Sequence, residues 1–323
     1  MQWKTWFLKQ DLMRRVLYSL LPILAFSIYL FGWRVLLLSA VVTVFGVATE
    51  YVVIKKWYDG KFKVSEAVLV SCLLFALTLP PAVPFWVAVL GIIFGIFFGK
   101  GIFGGFGKNV FNPAILGRCF IYISFPASMT NLWTEPFAGF PGGLIRYAGG
   151  VDSVTTATPL GSIPVGTQIL DRVLGTIPGS AGETSALLIL AAAFYLVVTK
   201  TASWKIIVST VVGFLALGLV VFGVGSMNLN PFTALISGGF LFGAVFMATD
   251  PISAPRSDTA KVLYGLLIGV LTIIVRAYGN FTEGIMFAIL IANTFAPFLD
   301  RQVKEYEAGK KAKLAAVGEK VAS

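Results

Sequence analysis

Segment 152–160, which reads DSVTTATPL, concentrates the side chains of this chain that could carry covalent chemistry. Ser and Thr hydroxyls are nucleophiles that can hold a phosphoester-linked group. Taken alone, such a stretch is typical of a loop with side-chain-to-backbone hydrogen bonds. Whether the segment carries a covalent group or is an ordinary loop therefore depends on the structural elements that position it. The hydroxyl residues are Ser153, Thr155, Thr156 and Thr158.

The composition indicates a membrane protein. Of 323 residues, 57% are hydrophobic and 12% are charged, whereas a soluble domain carries about 25% charged residues. The net charge of +10 does not indicate nucleic-acid binding, because the basic residues flank apolar runs. With no His and two Cys, no metal site is expected within the chain.

Ten apolar runs, each bounded by charged residues or by Gly and Pro, predict ten membrane spans. Only helices or closed barrels satisfy the backbone in lipid, and the predicted fold class is an all-α polytopic membrane protein. The third, fourth and eighth runs are short, which favours tilted or broken helices. The predicted spans are 16–32, 35–54, 65–79, 84–99, 109–126, 185–199, 205–224, 234–249, 261–277 and 284–299.

The basic residues predict the orientation of these spans. With the N-terminus inside, all but five of the 25 Lys and Arg residues fall on the cytoplasmic side. Both termini are then cytoplasmic, and loop 127–184 is external. Segment 1–15 is typical of an amphipathic segment at the membrane interface that leads into the first span. The basic tail 301–323 is predicted at the cytoplasmic surface, either ordered or disordered. The exceptions are Arg34, Arg118, Arg146, Arg172 and Arg276.

Two pairs of similar segments predict an internal duplication. T-x-P-x-x-x-P occurs at 78–84 and 249–255, and N-x-F-x-P follows at 109–113 and 293–297. The predicted units, each with five spans, are 1–126 and 185–300, and loop 127–184 joins them. Because five is odd, the second unit enters from the opposite side, and the halves are predicted to be inverted repeats.

The Pro-rich breaks predict discontinuous helices, whose freed backbone groups need protein or a water-filled cavity. An ion or a ring system could be held there. Asp250 has the alternative role of a solvated or helix-capping acid, and Gly-rich segment 99–108 fits either an anion cradle flanked by lysines or a tight loop. The candidates for an ion path are Asn109, Asn112, Thr249, Asp250 and Asn293.

Several of these motifs together resemble one family. They are GK at 99–100, FGG at 103–105, NVFNPA at 109–114, GR at 117–118 and MATDP at 247–251. The family contains the D subunit of the Rnf complex and the B subunit of the sodium-translocating NADH:quinone reductase, and the likeness runs from the first span to Arg301. The absence of a long N-terminal extension favours the Rnf type.

In that family, a flavin transferase joins FMN by a phosphoester to a Thr in the motif D-x-x-[ST]-G-A-T. The resemblance implies that Thr158 is the flavinylated residue, and Asp152, Thr155 and Ala157 match the motif. Thr156 stands where the pattern has Gly, and it adds a rival hydroxyl. Thr155 and Thr156 are therefore secondary candidates. By analogy with the quinone-reductase relative, the chain could also bind a non-covalent riboflavin. No residue pattern in the sequence indicates such a site independently.

The resemblance implies a flavin-carrying subunit that is not an enzyme by itself. It would belong to a complex with the A, B, C, E and G subunits of Rnf in a bacterial or archaeal plasma membrane. Such a complex couples electron transfer between ferredoxin and NAD to movement of Na⁺ or H⁺ across the lipid bilayer. The alternatives are a quinone-reductase subunit, a transporter or channel of similar fold without a redox role, and a purely structural subunit. A channel or a structural subunit has no use for D-x-x-T-x-A-T.

Overall fold

The computed structural model describes residues 7–58, 63–137, 139–147, 169–227, 230–279, 281 and 283–322. Apart from a two-residue parallel strand pair, β1 (Phe7–Leu8) with β2 (Val64–Ser65), the regular elements of this part are helical. The predicted all-α polytopic fold is confirmed. The helices are α1 (Asp11–Phe31), α2 (Trp33–Trp57), α3 (Ala67–Leu77), α4 (Phe85–Ile96), α5 (Pro113–Ser124), α6 (Pro126–Thr130), α7 (Ile169–Leu174), α8 (Ala186–Val198), α9 (Trp204–Gly223), α10 (Pro231–Leu235), α11 (Phe240–Phe242), α12 (Asp258–Tyr278) and α13 (Gly284–Ala322).

Helical structure occupies all ten predicted spans, and π-helical turns extend α4 through Phe97–Gly101 and α11 through Gly243–Met247. In the described chain, five helices are long and apolar enough to cross a membrane, namely α1, α2, α9, α12 and the Gly284–Lys310 part of α13. The others are shorter. The 11 residues of α3 rise roughly 16 Å, about half of the hydrocarbon thickness. The Pro-rich segments lie where helices end and begin, 78–84 between α3 and α4, and 249–255 between the Gly243–Met247 turn and α12.

The first break, 78–84, separates α3 from α4, and protein groups satisfy its backbone. The Arg34 guanidinium of α2 donates to the carbonyl oxygens of residues 81–83 at 3.0, 3.0 and 2.6 Å. The N–H groups of Ala181 and Gly182 donate to the carbonyls of residues 79 and 77 at 3.0 and 2.7 Å. A membrane-embedded break needs such donors and acceptors.

The two N-x-F-x-P segments adopt different structures. Asn112 is the N-cap of α5, with Pro113 in its first turn, where a missing N–H costs nothing. Pro297, in contrast, lies inside α13. The local counterpart of Asn112-Pro113 is Asn230-Pro231 at the start of α10, because in both pairs the Asn Oδ1 accepts the N–H two residues on at 3.0 Å. The inverted duplication stays a prediction.

Both terminal segments contain regular structure. Phe7–Leu8 pairs as a strand with Val64–Ser65, so this part of the predicted interfacial segment is extended. Glu66 anchors the pairing, because its carboxylate accepts the Arg14 guanidinium at 2.6 Å and the Gln10 N–H at 2.7 Å. The basic tail is not irregular, since α13 continues to Ala322.

Close helix crossings depend on glycine. A Cβ on Gly213 of α9 would lie 2.6 Å from the Leu266 carbonyl oxygen of α12, and one on Gly91 of α4 would lie 2.8 Å from Ile121 of α5. Small residues let helix backbones approach closely in a membrane. These crossings position the helix that follows each break, α4 after the first and α12 after the second.

Candidate functional site

The flavin motif expected from the sequence lies outside the described residues, which leave out 148–168. The structure describes the residues on either side of this gap. Before the gap, the Arg146 carbonyl accepts the Trp33 N–H at 3.0 Å, and after it, Arg172 of α7 donates to Ser237 Oγ at 2.5 Å. The motif stays a prediction for Asp152, Thr155, Thr156, Ala157 and Thr158.

Four of the five ion-path candidates line one cavity of about 50 Å³, here called the central cavity. Asn109 and Asn112 come from the loop before α5, and Thr249 and Asp250 come from the second break, between the Gly243–Met247 turn and α12. The structure thus brings together two motifs that lie more than a hundred residues apart. This volume suits an ion with a few waters.

Asn293 lies elsewhere. Its Oδ1 accepts the hydroxyl of Tyr264 at 2.6 Å, and this bond joins α12 to α13. Its Nδ2 is buried without a hydrogen-bond partner. The fifth candidate therefore does not belong to the lining of the central cavity, although its amide retains an unused donor.

The polar atoms of the central cavity differ in what they already bind. Asn112 Oδ1 caps α5, and the Thr249 hydroxyl donates to Val245 O at 2.5 Å. Asp250 accepts the Ile252 N–H at 3.3 Å and the Ser253 hydroxyl at 2.9 Å, so it does cap the turn of the break. Asn109 Oδ1, in contrast, is buried with no partner. The Asn109 amide oxygen and the remaining acceptor capacity of Asp250 suit a cation.

A buried ion pair closes one side of the central cavity. Lys100 Nζ lies 2.8 and 2.9 Å from the two carboxylate oxygens of Glu50, and it donates to Ser65 Oγ at 2.5 Å. Glu50 is not among the candidate residues predicted from the sequence, although it lies within the predicted span 35–54. Glu50 neutralises Lys100, so of the two lysines that flank segment 99–108 only Lys108 would be available to an anion. The segment also has the positive φ angles of a tight loop, at Gly104 and Gly105, and the choice between the two interpretations stays a prediction.

A second buried cluster, here called the Arg118 cluster, consists of Arg118, Glu183, Glu283 and Ser180. Arg118 Nη1 lies 2.8 Å from Glu183 Oε1, and Nη2 contacts Glu283 Oε2 and lies 3.3 Å from Ser180 Oγ. The cluster joins α5, the segment before α8 and the start of α13. Burial raises the pKa of Glu183 to about 7, because desolvation outweighs the attraction of a guanidinium that Glu283 shares.

One feature of the sequence could have indicated this cluster. All five basic residues that break the charge bias are Arg, and none is Lys. Arg is the residue type suited to buried ion pairs and carbonyl binding. In the structure Arg118 and Arg172 are buried, and the half-buried Arg34 and Arg276 bind backbone carbonyls. Arg146 is exposed.

The comparisons with known proteins agree with the resemblance. A model of the NQR2, RnfD, RnfE family matches residues 5–309. The B subunit of the Na⁺-translocating NADH-quinone reductase of Pseudomonas paraeruginosa is 44% identical over 254 residues, which are 75% of this chain and 61% of that protein. That of Azotobacter vinelandii is 41% identical with the same coverage, and that of Chromohalobacter salexigens is 42% identical over 248 residues, 74% and 58% of the two chains.

The chain spans about three-fifths of the length of these relatives. Their names are of the quinone-reductase type, which was the alternative to the Rnf type. Since the family model covers both types and nearly the whole sequence, the chain belongs to the NQR2, RnfD, RnfE family.

Proposed function

We propose that this chain is an electron-carrying membrane subunit of an ion-translocating oxidoreductase of the NADH:quinone reductase type. The observation that carries the proposal is the 44% identity to the B subunit of the Na⁺-translocating NADH-quinone reductase, within a family match over residues 5–309. The name of that relative favours Na⁺ as the ion and quinone as the electron acceptor. It also favours subunits of that complex over the A, B, C, E and G subunits of Rnf as partners.

The central cavity supports a role in ion passage. It combines the Asp250 carboxylate with an unpartnered amide oxygen of Asn109. Ionisable groups within a membrane region are costly, and a functional role is the default hypothesis for them. The turn-capping bonds of Asp250 leave room for this second role, since each carboxylate oxygen has more than one lone pair.

FMN on Thr158 is the proposed electron carrier. A non-covalent riboflavin would be an additional carrier. The support is the D-x-x-T-x-A-T segment at 152–158 in a chain of this family. A phosphoester tether would hold the cofactor by its phosphate, and the flavin would supply the redox chemistry. The transferase must reach the segment, which is consistent with its predicted place in an external loop.

The test of the flavin proposal is fluorescence after denaturation. The chain, co-expressed with the flavin transferase, is expected to give a fluorescent band under ultraviolet light. Thr158→Ala should abolish the band, whereas the matched control Thr156→Ala, at the position where the motif has Gly, should retain it. A dark wild-type band, or an unchanged band in Thr158→Ala, would overturn the assignment.

The type of complex is tested separately. The complex purified from its native membrane with its partner subunits is expected to oxidise NADH with quinone in a Na⁺-dependent reaction. Electron transfer from reduced ferredoxin to NAD, without quinone reduction, would instead identify the Rnf type.

A further inference from the structure

A basic pocket lies where α9 and α12 begin, and its volume is about 550 Å³. Asp258 in its lining holds Lys205 Nζ at 2.7 Å and Lys261 Nζ at 3.5 Å. Within the described part of the chain, Lys200 and Arg256 form no ion pair. The pocket thus has an uncompensated positive charge. Its basic residues are Lys200, Lys205, Arg256 and Lys261.

An apolar groove of about 570 Å³ continues from the basic pocket between α9 and α12. Trp204, Lys205 and Asp258 line both spaces. Val212 from one wall and Leu263 from the other are 51% and 45% exposed. The groove lies on two helices that are long and apolar enough to cross a membrane, so its walls face the lipid or a molecule bound there.

The two helices that begin at the pocket differ in the charge at their first turns, and only α9 adds to the positive field. Ser203 makes no side-chain cap at the start of α9. The Ser257 hydroxyl donates to Asp300 Oδ1 at 2.9 Å and does not cap α12. The start of α12 already has the carboxylate of Asp258 in its first turn and that of Asp300, which accepts the Arg256 and Ser257 N–H groups at 2.7 and 2.8 Å. The first turn of α9 has no acidic residue and no side-chain cap, and its N–H groups favour an anion.

We propose that the basic pocket and the apolar groove together bind one anionic phospholipid. The head-group phosphate lies among the basic residues, and an acyl chain follows the groove. A zwitterionic lipid leaves the excess positive charge unmatched, and a free anion leaves the groove unfilled. Basic pockets between membrane helices on the cytoplasmic side are suited to such head groups. Thr249 and Pro251 also line the pocket, so the lipid braces the second break beside the central cavity.

The first test is native mass spectrometry of the full chain in detergent, titrated with phosphatidylglycerol or with phosphatidylcholine of the same acyl chains. We expect one retained phosphatidylglycerol and at least tenfold weaker retention of phosphatidylcholine. Lys200→Gln combined with Arg256→Gln should weaken phosphatidylglycerol binding about 30-fold, which is about 2 kcal/mol for two basic residues. The matched control, Lys55→Gln with Lys56→Gln at the exposed end of α2, should leave binding unchanged.

The groove is tested by Val212→Trp, which fills it without a change of charge and should weaken phosphatidylglycerol binding at least tenfold. Equal retention of both lipids would overturn the proposal, as would an equal loss in the Lys55/Lys56 control. Displacement of the lipid by an equal concentration of inorganic phosphate would also overturn it, because the groove would then contribute nothing. Even if a variant fails to fold, the comparison of phosphatidylglycerol with phosphatidylcholine on the wild-type chain tests the proposal.

Discussion

Replacement of Arg118 by Gln tests whether the Arg118 cluster holds the segment before α8 and the start of α13 against α5. The side chains of Arg118, Glu183 and Glu283 are 3%, 4% and 3% exposed. Removal of one partner from a buried ion pair costs about 3–5 kcal/mol, because a buried charge is left uncompensated. We expect the lower end, about 3 kcal/mol, since the raised pKa of Glu183, about 7, lets that carboxyl take up a proton.

The assay is thermal unfolding of the purified full chain in detergent, followed by intrinsic tryptophan fluorescence at pH 7. At about 2–4 °C per kcal/mol, the melting temperature of Arg118→Gln should fall by roughly 6–12 °C. Arg118→Lys is the matched control. It keeps the charge but lacks the planar fork that reaches both carboxylates, and it should lose about half as much.

A second variant separates the charge from the volume of the side chain. Arg118→Gln combined with Glu183→Gln leaves only one buried carboxylate and should unfold at a higher temperature than Arg118→Gln alone. The reasoning is refuted if Arg118→Gln melts within about 2 °C of the wild type, a shift that corresponds to no more than about 1 kcal/mol.

Two further predictions concern pH and packing. The folded-state pKa of Glu183 is raised from 4.5 to about 7, so the folded chain binds this proton more tightly than the unfolded chain, and stability should fall as pH rises through that window. Glu183→Gln should remove this part of the slope in melts across the same range, and an unchanged slope would contradict the burial argument. Gly213→Ala should destabilise the chain by about 1–3 kcal/mol through a clash with Leu266, whereas Gly223→Ala, with open space around it, should be neutral or slightly stabilising. Equal melting temperatures for these two variants would show that the crossing of α9 and α12 is not close.

The local features of this fold could be predicted from the sequence. Ten apolar runs predicted ten helical segments, and the Pro-rich segments at 78–84 and 249–255 predicted where helices break. The family was also recognisable, because each of its motifs is a short continuous stretch of sequence, and the family match over residues 5–309 confirms it. Each of these features depends on residues close together in sequence, where side-chain polarity and the missing N–H of proline act directly on the backbone.

Only the tertiary structure decided how distant residues combine. Arg118 pairs with acids 65 and 165 residues away, and Lys100 pairs with Glu50 across 50 residues. Pro113 begins one helix whereas Pro297 lies within another, although both stand in the same N-x-F-x-P pattern. A hydropathy pattern reflects how favourably each stretch leaves water, whereas a buried charge is tolerated only where another element supplies its partner. That partner is determined by the packing of the helices, which no single stretch of sequence encodes.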